Sequence, residues 1–190
     1  DFSASTNPFP PRFTWNCDPS SLTYYPDDTY FELKKRISHT FHRSLDDICV
    51  GNGSIEIIRV FCQVALKGTN KTFFTGTPTF GEYELSARLA GAKRTDNSDT
   101  ADVSFVCNPN NPTGTLHRKQ DLLQRLKKAK SHNGLLFCDE AFIELSDPTQ
   151  TLADVIDQNL FVLHSLTKSF AVPGIRFGYG FGDPSLIEKI

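Results

Sequence analysis

The chain has 190 residues, of which 38% are hydrophobic and 22% charged, a balance that supports a packed globular core and excludes an intrinsically disordered segment. A formal net charge of -2 gives no general attraction to phosphate backbones or anionic lipid, so no nucleic-acid partner is expected. No apolar run reaches the roughly eighteen residues that a membrane span needs, and the opening DFSASTNPFPPRF has neither a basic nor an apolar leader region. No membrane association is expected, and a cytoplasmic location is.

The five cysteines, Cys17, Cys49, Cys62, Cys107 and Cys138, are odd in number, form no CxxC pair and mostly sit in apolar stretches. They read as buried thiols in a reducing compartment, with neither a disulfide frame nor a metal site expected. The absence of methionine and the start at Asp1 suggest a processed chain, a fragment, or modified methionines missing from the sequence.

Residues 1–28, rich in Pro, Ser, Thr and Asp, show no helical period and read as an extended arm. Asp27-Asp28-Thr29 would cap a helix over YFELKKRISHTF, with Phe31, Ile37 and Phe41 inward and Lys34, Lys35 and Arg36 outward. ICVGNGS leads into the apolar helix IEIIRVFCQVALKG, closed by Gly68. The strand KTFFTGTPTF, broken by Gly76 and Pro78, precedes a helix EYELSARLAG closed by Gly91. The strand ADVSFVC runs into NPNNPTG, then come the basic helix HRKQDLLQRLKKAKSHNG, the strands GLLFCDE and NLFVLHS, and the segment LTKSFAVPGIRFGYG. The leucines of the basic helix recur at helical spacing, so its charges read as a solvated face. Short apolar strands alternating with helices predict an α/β fold, a mostly parallel central sheet covered on both faces in three layers.

In such sheets ligands sit beyond the carboxyl ends of the strands, which singles out five groups of polar residues opening on one side: Gly51–Glu56, Thr77–Phe80, Asn108–Gly114, Asp139 with Glu140, and Ser165–Lys168. In GNGSIE the backbone N–H groups of Gly53, Ser54 and Ile55 would face an anion, helped by the helix dipole. The segment is neither GxGxxG nor GxxxxGK[ST], which disfavours a dinucleotide or P-loop site. Asp139 ends an apolar strand, where a carboxylate needs a cation, a donor or a helix to cap. Ser165, Thr167 and Arg176 would form a second phosphate-like clamp beside the amine of Lys168.

Taken together, GNGSIE, TPTFGEY, NPNNPTG, DEAF and SLTKSFAVPGIRFGYG resemble, in order, the motifs of fold-type I pyridoxal-phosphate enzymes of the class I/II aminotransferase family. The likeness runs from Tyr24-Tyr25-Pro26 to Gly180 and is strongest toward the histidinol-phosphate aminotransferase branch and the related threonine-phosphate decarboxylases. DFSASTNP and DEAF lean toward the latter. The resemblance implies the large domain of an aspartate aminotransferase-like fold over residues 29–190, with pyridoxal 5'-phosphate as cofactor. It makes Lys168 the Schiff-base lysine and Asp139 the partner of the pyridine nitrogen. Asn111 would donate to the phenolic oxygen and Phe80 would stack on the ring. Gly53, Ser54, Ile55, Ser165, Thr167 and Arg176 would hold the phosphate. Tyr25 would reach the phosphate of a neighbouring subunit in a homodimer with a shared active site, and Asn7 would meet the substrate.

Some positions depart from the family pattern. Phe142 stands where aminotransferases usually carry a Tyr, Ser5 replaces an Asn, no glycine follows Asn7-Pro8, and Lys93–Ala101 is shorter than usual. The chain ends at Ile190, ahead of the family's small C-terminal domain and its carboxylate-binding arginine. The expected function is a pyridoxal-phosphate enzyme for a small phosphorylated amino acid, L-threonine O-3-phosphate decarboxylase first, with histidinol-phosphate or a related aminotransferase as the alternative. A cofactor-domain fragment without activity is the non-enzymatic reading, and this chain alone is expected to be inactive.

Overall fold

The computed structural model describes residues 5–14, 16 and 18–190; Cys17 and the Asp1–Ala4 part of the opening segment lie outside the described residues. Seven strands form one sheet: β1 (Ile48–Gly51), β2 (Thr72–Thr75), β3 (Lys93–Arg94), β4 (Val103–Cys107), β5 (Leu135–Asp139), β6 (Leu160–Ser165) and β7 (Gly178–Phe181), in the order β1-β7-β6-β5-β4-β2-β3. Neighbours run parallel except at β7, which is antiparallel to both β1 and β6. The helices are α1 (Phe31–Phe41), α2 (Ser54–Ala65), α3 (Glu82–Leu89), α4 (Lys119–Ser131) and the single turns α5 (Leu166–Ser169) and α6 (Pro184–Ile187).

The pleat sorts the side chains into two layers, because successive residues of a strand point to opposite faces. Cys49, Phe105, Cys107, Phe137, Phe161 and Leu163 pack with Ile57, Phe61 and Cys62 of α2 and Tyr83 and Ala87 of α3. Their neighbours Ile48, Val106, Leu136, Cys138, Leu160 and Val162 pack on the other face with Ile37 of α1 and Leu122 and Leu126 of α4. The centre of the first layer is aromatic: the Phe61 ring lies 4.7 Å from that of Phe137, 5.0 Å from Phe161 and 6.3 Å from Phe105. The register pairs Cys107 with Asp139 and Asp139 with Leu163, so the three central strands end nearly level and their following loops meet. Cys49, Cys62, Cys107 and Cys138 are buried free thiols, and burial pushes the first three up to about 12.

Three local expectations change. Phe31 is half exposed with its face toward Lys35, because the inward stripe of α1 is Leu33, Ile37 and Phe41 at a spacing of four, which leaves Phe31 off the seam and Lys34 half-buried. The helix is capped from a distance: Asp27 accepts the Phe31 N–H at 3.1 Å, while Tyr30 takes a left-handed conformation. The arm is exposed as expected, but it contains a short 3-10 turn at Pro19–Thr23 that Asp18 caps through the Ser20 N–H. No described helix is long and apolar enough to cross a membrane.

Phe61 touches three other rings across the α2–sheet interface. Phe61→Ala is therefore expected to cost about 3–5 kcal/mol in urea unfolding, and a loss below about 1 kcal/mol would mean that this aromatic cluster does not hold the helix layer to the sheet.

Candidate active site

At the carboxyl ends of β4, β5 and β6 lies a cavity of about 140 Å³, walled by the first turn of α2, the N-terminus of α3 and the turn α5. Ser54, Ile55, Phe80, Asn111, Asp139, Ser165, Thr167, Lys168 and Arg176 all line it. Sequence positions 54 to 176 converge there because parallel strands with right-handed crossovers bring every strand-to-helix loop to one edge of the sheet.

One end of the cavity is built for an anion. The N–H groups of Ser54 and Ile55, at the start of α2, have no acceptor among the described residues. The Arg176 guanidinium lies against the same turn, bonded to the Pro173 carbonyl at 3.1 Å and with no carboxylate in ion-pair reach among the described residues. Two glycines permit this approach. A Cβ on Gly53, which has φ +89°, would stand 2.4 Å from the Arg176 Nη2, and a Cβ on Gly178 would stand 2.5 Å from the Ser54 nitrogen. Gly53 enters differently from expectation, since its own N–H donates to the Gly51 carbonyl at 2.8 Å and so is turned away. Ser165 caps α5, its Oγ accepting the Thr167 N–H at 3.3 Å. Unpaired amide donors, hydroxyls and a guanidinium without a carboxylate partner among the described residues are the inventory a phosphate dianion requires.

At the other end Asp139 presents a carboxylate with almost no water contact. Burial pushes its carboxyl above the ordinary range, opposed by two donors: the Tyr83 hydroxyl gives to Oδ2 at 2.7 Å and the Ala141 N–H to Oδ1 at 2.9 Å. Tyr83 is itself fully buried, stacked on Phe105 at 5.4 Å and nearly parallel to it. Its phenol is pushed far up by burial and by the Asp139 charge, so it stays a donor. Lys168 lies between the two ends with its Nζ 5.3 Å from the Phe142 ring centre, a cation–π contact, and with no carboxylate in ion-pair reach among the described residues.

The NPNNPTG loop explains why one asparagine of three faces the cavity. Asn108 is buried and paired both ways with His117, and Asn110 is held by the Pro78 carbonyl, Thr79 and Thr113. Asn111 remains for the cavity wall. A second, more open cavity of about 330 Å³ adjoins it, sharing Asn111 and Phe142 and adding Ser5, Asn110 and Ser146.

Besides Gly53, two expected residues do not line the main cavity. Tyr25 is wholly exposed. Asn7 lies behind α5, where its N–H donates to the Lys168 carbonyl and its side-chain amide to the Ser169 carbonyl, both at 2.9 Å.

Residues 94–190, just over half of the chain, match the family described as aminotransferase class I and II. The chain belongs to this family. Among its aminotransferase-family relatives is a protein of Caldanaerobacter subterraneus subsp. tengcongensis provisionally named as a threonine-phosphate decarboxylase, 36% identical over 211 aligned residues that cover 98% of this chain and 57% of the relative. The solved histidinol-phosphate aminotransferase of Clostridium acetobutylicum superposes with a TM-score of 0.78 at 32% identity, over 90% of this chain and 55% of that one. An aspartate aminotransferase of Thermus thermophilus shares the fold at 20% identity, with a TM-score of 0.76 over 83% and 48%. The chain thus spans about half the length of the family members it matches.

Sequence reasoning gave Tyr83, Cys107 and Ala141 no role, yet all three line the aminotransferase-family cavity. Tyr83 meets Phe80 edge to face at 5.5 Å, but Phe80 lies ahead of α3, so no helical spacing links the two in the sequence. The ionised Asp139 opposes folding, because its carboxyl holds a proton more tightly when folded than when unfolded. The stability it provides is present below the unfolded value of 3.8 and fades as pH rises through the elevated folded value. Asp139→Asn without cofactor is therefore expected to be more stable than the parent at pH 8, with the gap closing toward pH 3. Urea titrations at the two pH values check this, and a variant markedly less stable at pH 8 would contradict it.

Proposed function

We propose that residues 29–190 are the cofactor-binding large domain of a pyridoxal-phosphate enzyme acting on a small phosphorylated amino acid, and that its reaction is the decarboxylation of L-threonine O-3-phosphate. The observation that carries the cofactor reading is the convergence, on one cavity, of an unpaired anion cradle, a lysine free of acid partners and a buried carboxylate. The cradle of Ser54, Ile55, Ser165, Thr167 and Arg176, with Gly53 as the clearance that admits the guanidinium, would take the cofactor phosphate. Phe80 and Asn111 would flank and hydrogen-bond the ring. When bound, the cofactor supplies an electron sink for charge developing at the substrate α-carbon.

The chain's own groups do the rest. Asp139, held by the Tyr83 hydroxyl and the Ala141 N–H, would pair with the ring nitrogen and keep a proton there. Lys168 is the attachment point and carries protons at the α-carbon. Phe80 and Phe142 keep water away, which strengthens each charge interaction inside. The adjoining cavity is the proposed approach of the substrate, and Asn7 serves it by tying the arm to the Lys168 and Ser169 carbonyls. The exposed Phe9, Leu22, Tyr24 and Tyr25 of the arm support a homodimer in which Tyr25 completes the partner's phosphate site.

Decarboxylation is favoured over transamination by the 36% identity to the provisionally named decarboxylase along nearly the whole chain. Phe142, which has no hydroxyl to offer, packs its ring over Lys168. The 32% identity to a histidinol-phosphate aminotransferase favours the second reading. With O-phospho-L-threonine, the full gene product is expected to release carbon dioxide and an amino alcohol phosphate without added keto acid. Consumption of histidinol phosphate that requires a keto acid, with no carbon dioxide from O-phosphothreonine, would replace this reading by the second one. Inactivity on both would leave a cofactor domain without catalysis. Arg176→Ala is expected to weaken pyridoxal 5'-phosphate binding about tenfold or more, the size of a lost charge-assisted pair. Asp139→Asn is expected to lower turnover far more than affinity. Equal losses of affinity in the two variants would contradict the division of roles.

A further inference from the structure

Behind the cavity, on the opposite face of the sheet, lies a buried charged cluster that the site itself does not use. The pleat turns Asp139 toward α3 and the next residue, Glu140, the other way, where no part of it reaches solvent. The Glu140 N–H continues the ladder to the Leu163 carbonyl at 2.8 Å, which sets its side chain beside His164 of β6. The His164 Nδ1 is 3.1 Å from Glu144 Oε1, and its Nε2 is 3.1 Å from Glu140 Oε2, an ion-pair contact short of a straight hydrogen bond. Glu140 also accepts from the Leu152 N–H at 2.7 Å and from the Thr151 hydroxyl. The imidazole is sealed by Tyr179, stacked at 5.3 Å, and by the edges of Phe41 and Phe181.

Glu140 and Glu144 bracket the turn that carries Ala141 and Phe142, the residues that donate to Asp139 and cover Lys168. We propose that His164 is a positioning residue: bridging the two glutamates, it clamps this turn and so fixes the Ala141 N–H on Asp139 and the Phe142 ring over Lys168. A neutral imidazole has one N–H and can donate to only one of the two carboxylates, whereas the imidazolium satisfies both. Burial favours the neutral ring, but the pairing with Glu140 and Glu144 outweighs it and lifts the imidazole to about 9. The other titratable groups near it are Tyr179, Cys138 and Asp139. Tyr179 is pushed upward by burial and the two glutamates, the Cys138 thiol, 3.7 Å from Glu140, is pushed upward by burial and that glutamate, and Asp139 faces the opposite layer. From α1 the contact is the neutral Phe41, while Arg43 lies over the Phe181 ring and is paired with Asp47.

The clamp stands on geometry alone, and its consequence for the site rests on the cofactor reading above. Three variants of the full gene product separate the two. His164→Gln removes the charge, Glu144→Gln removes one partner at a part-exposed position that tolerates change, and His164→Arg restores a planar cation with donors for both carboxylates. Without cofactor, wild-type stability in urea is expected to carry a component, separate from that of Asp139, that is fully present below pH 6.5 and is lost as pH rises through about 9, because the folded ring holds its proton more tightly than the unfolded one. His164→Gln should lack that component. By absorbance titration with pyridoxal 5'-phosphate at pH 7, His164→Gln and Glu144→Gln are expected to bind about tenfold more weakly, with His164→Arg within about threefold of wild type. If His164→Gln does not fold, Glu144→Gln and the wild-type pH profile decide. Equal cofactor affinity in wild type, His164→Gln and Glu144→Gln would overturn the positioning role even if stability differs. A wild-type protein that shows the pH profile but takes up no cofactor would overturn the cofactor reading while leaving the clamp in place.

Discussion

A carboxylate held out of water at the end of a buried strand is the constraint around which this molecule is arranged. Asp139 cannot sit there unsupported, because an isolated buried charge is far too costly. The fold gives it two donors from different places: Tyr83, fixed by stacking on Phe105, and the N–H of Ala141, fixed by the turn that follows β5. Those donors offset part of the cost of burial without neutralising the group, so the carboxylate still seeks a cationic partner on its open side. A buried acid left short of a cation is a mark of a binding site rather than of a structural pair.

The other end of the cavity has the complementary shortage. Two helix-start amides, two hydroxyls and a guanidinium share no anion among the described residues, and the glycines at 53 and 178 exist where a Cβ would collide with the groups that must come together. Negative charge is therefore wanted at one end and positive charge at the other, with Lys168 between them. A flat, charged, bipolar ligand fits that distribution, and an apolar one does not. The aromatic layer beneath, centred on Phe61 and Phe137, gives the floor its rigidity.

Much of this was legible in the sequence, for identifiable reasons. The central strands were readable because VSFVC, LLFCD and LFVLHS are buried on both faces and so carry continuous apolar runs. The site loops followed, since the polar residues ending those runs must emerge at one edge of a parallel sheet. What stayed hidden depended on partners far away in sequence. The strand β7 is written GYGF, too short and glycine-rich to announce itself, and its antiparallel placement is a matter of topology. The inward tilt of Leu33 over Phe31 depends on where α1 lands. The Gly53 N–H was assigned to an anion because it opens a helix, yet the tight turn gives it the Gly51 carbonyl. The Glu140–His164–Glu144 cluster joins a strand residue of β6 to both ends of the turn that follows β5, through the register of β5 against β6, which no local pattern encodes.

The central claim is that Lys168 alone, among the lysines, sits where a cofactor aldehyde held between the anion cradle and Asp139 would meet it. Incubation with pyridoxal 5'-phosphate, borohydride reduction and peptide mass mapping test this directly. One pyridoxyl group per chain, on Lys168, is the expected result. A label on Lys128 or Lys130 of the exposed face of α4, or no label, would contradict it.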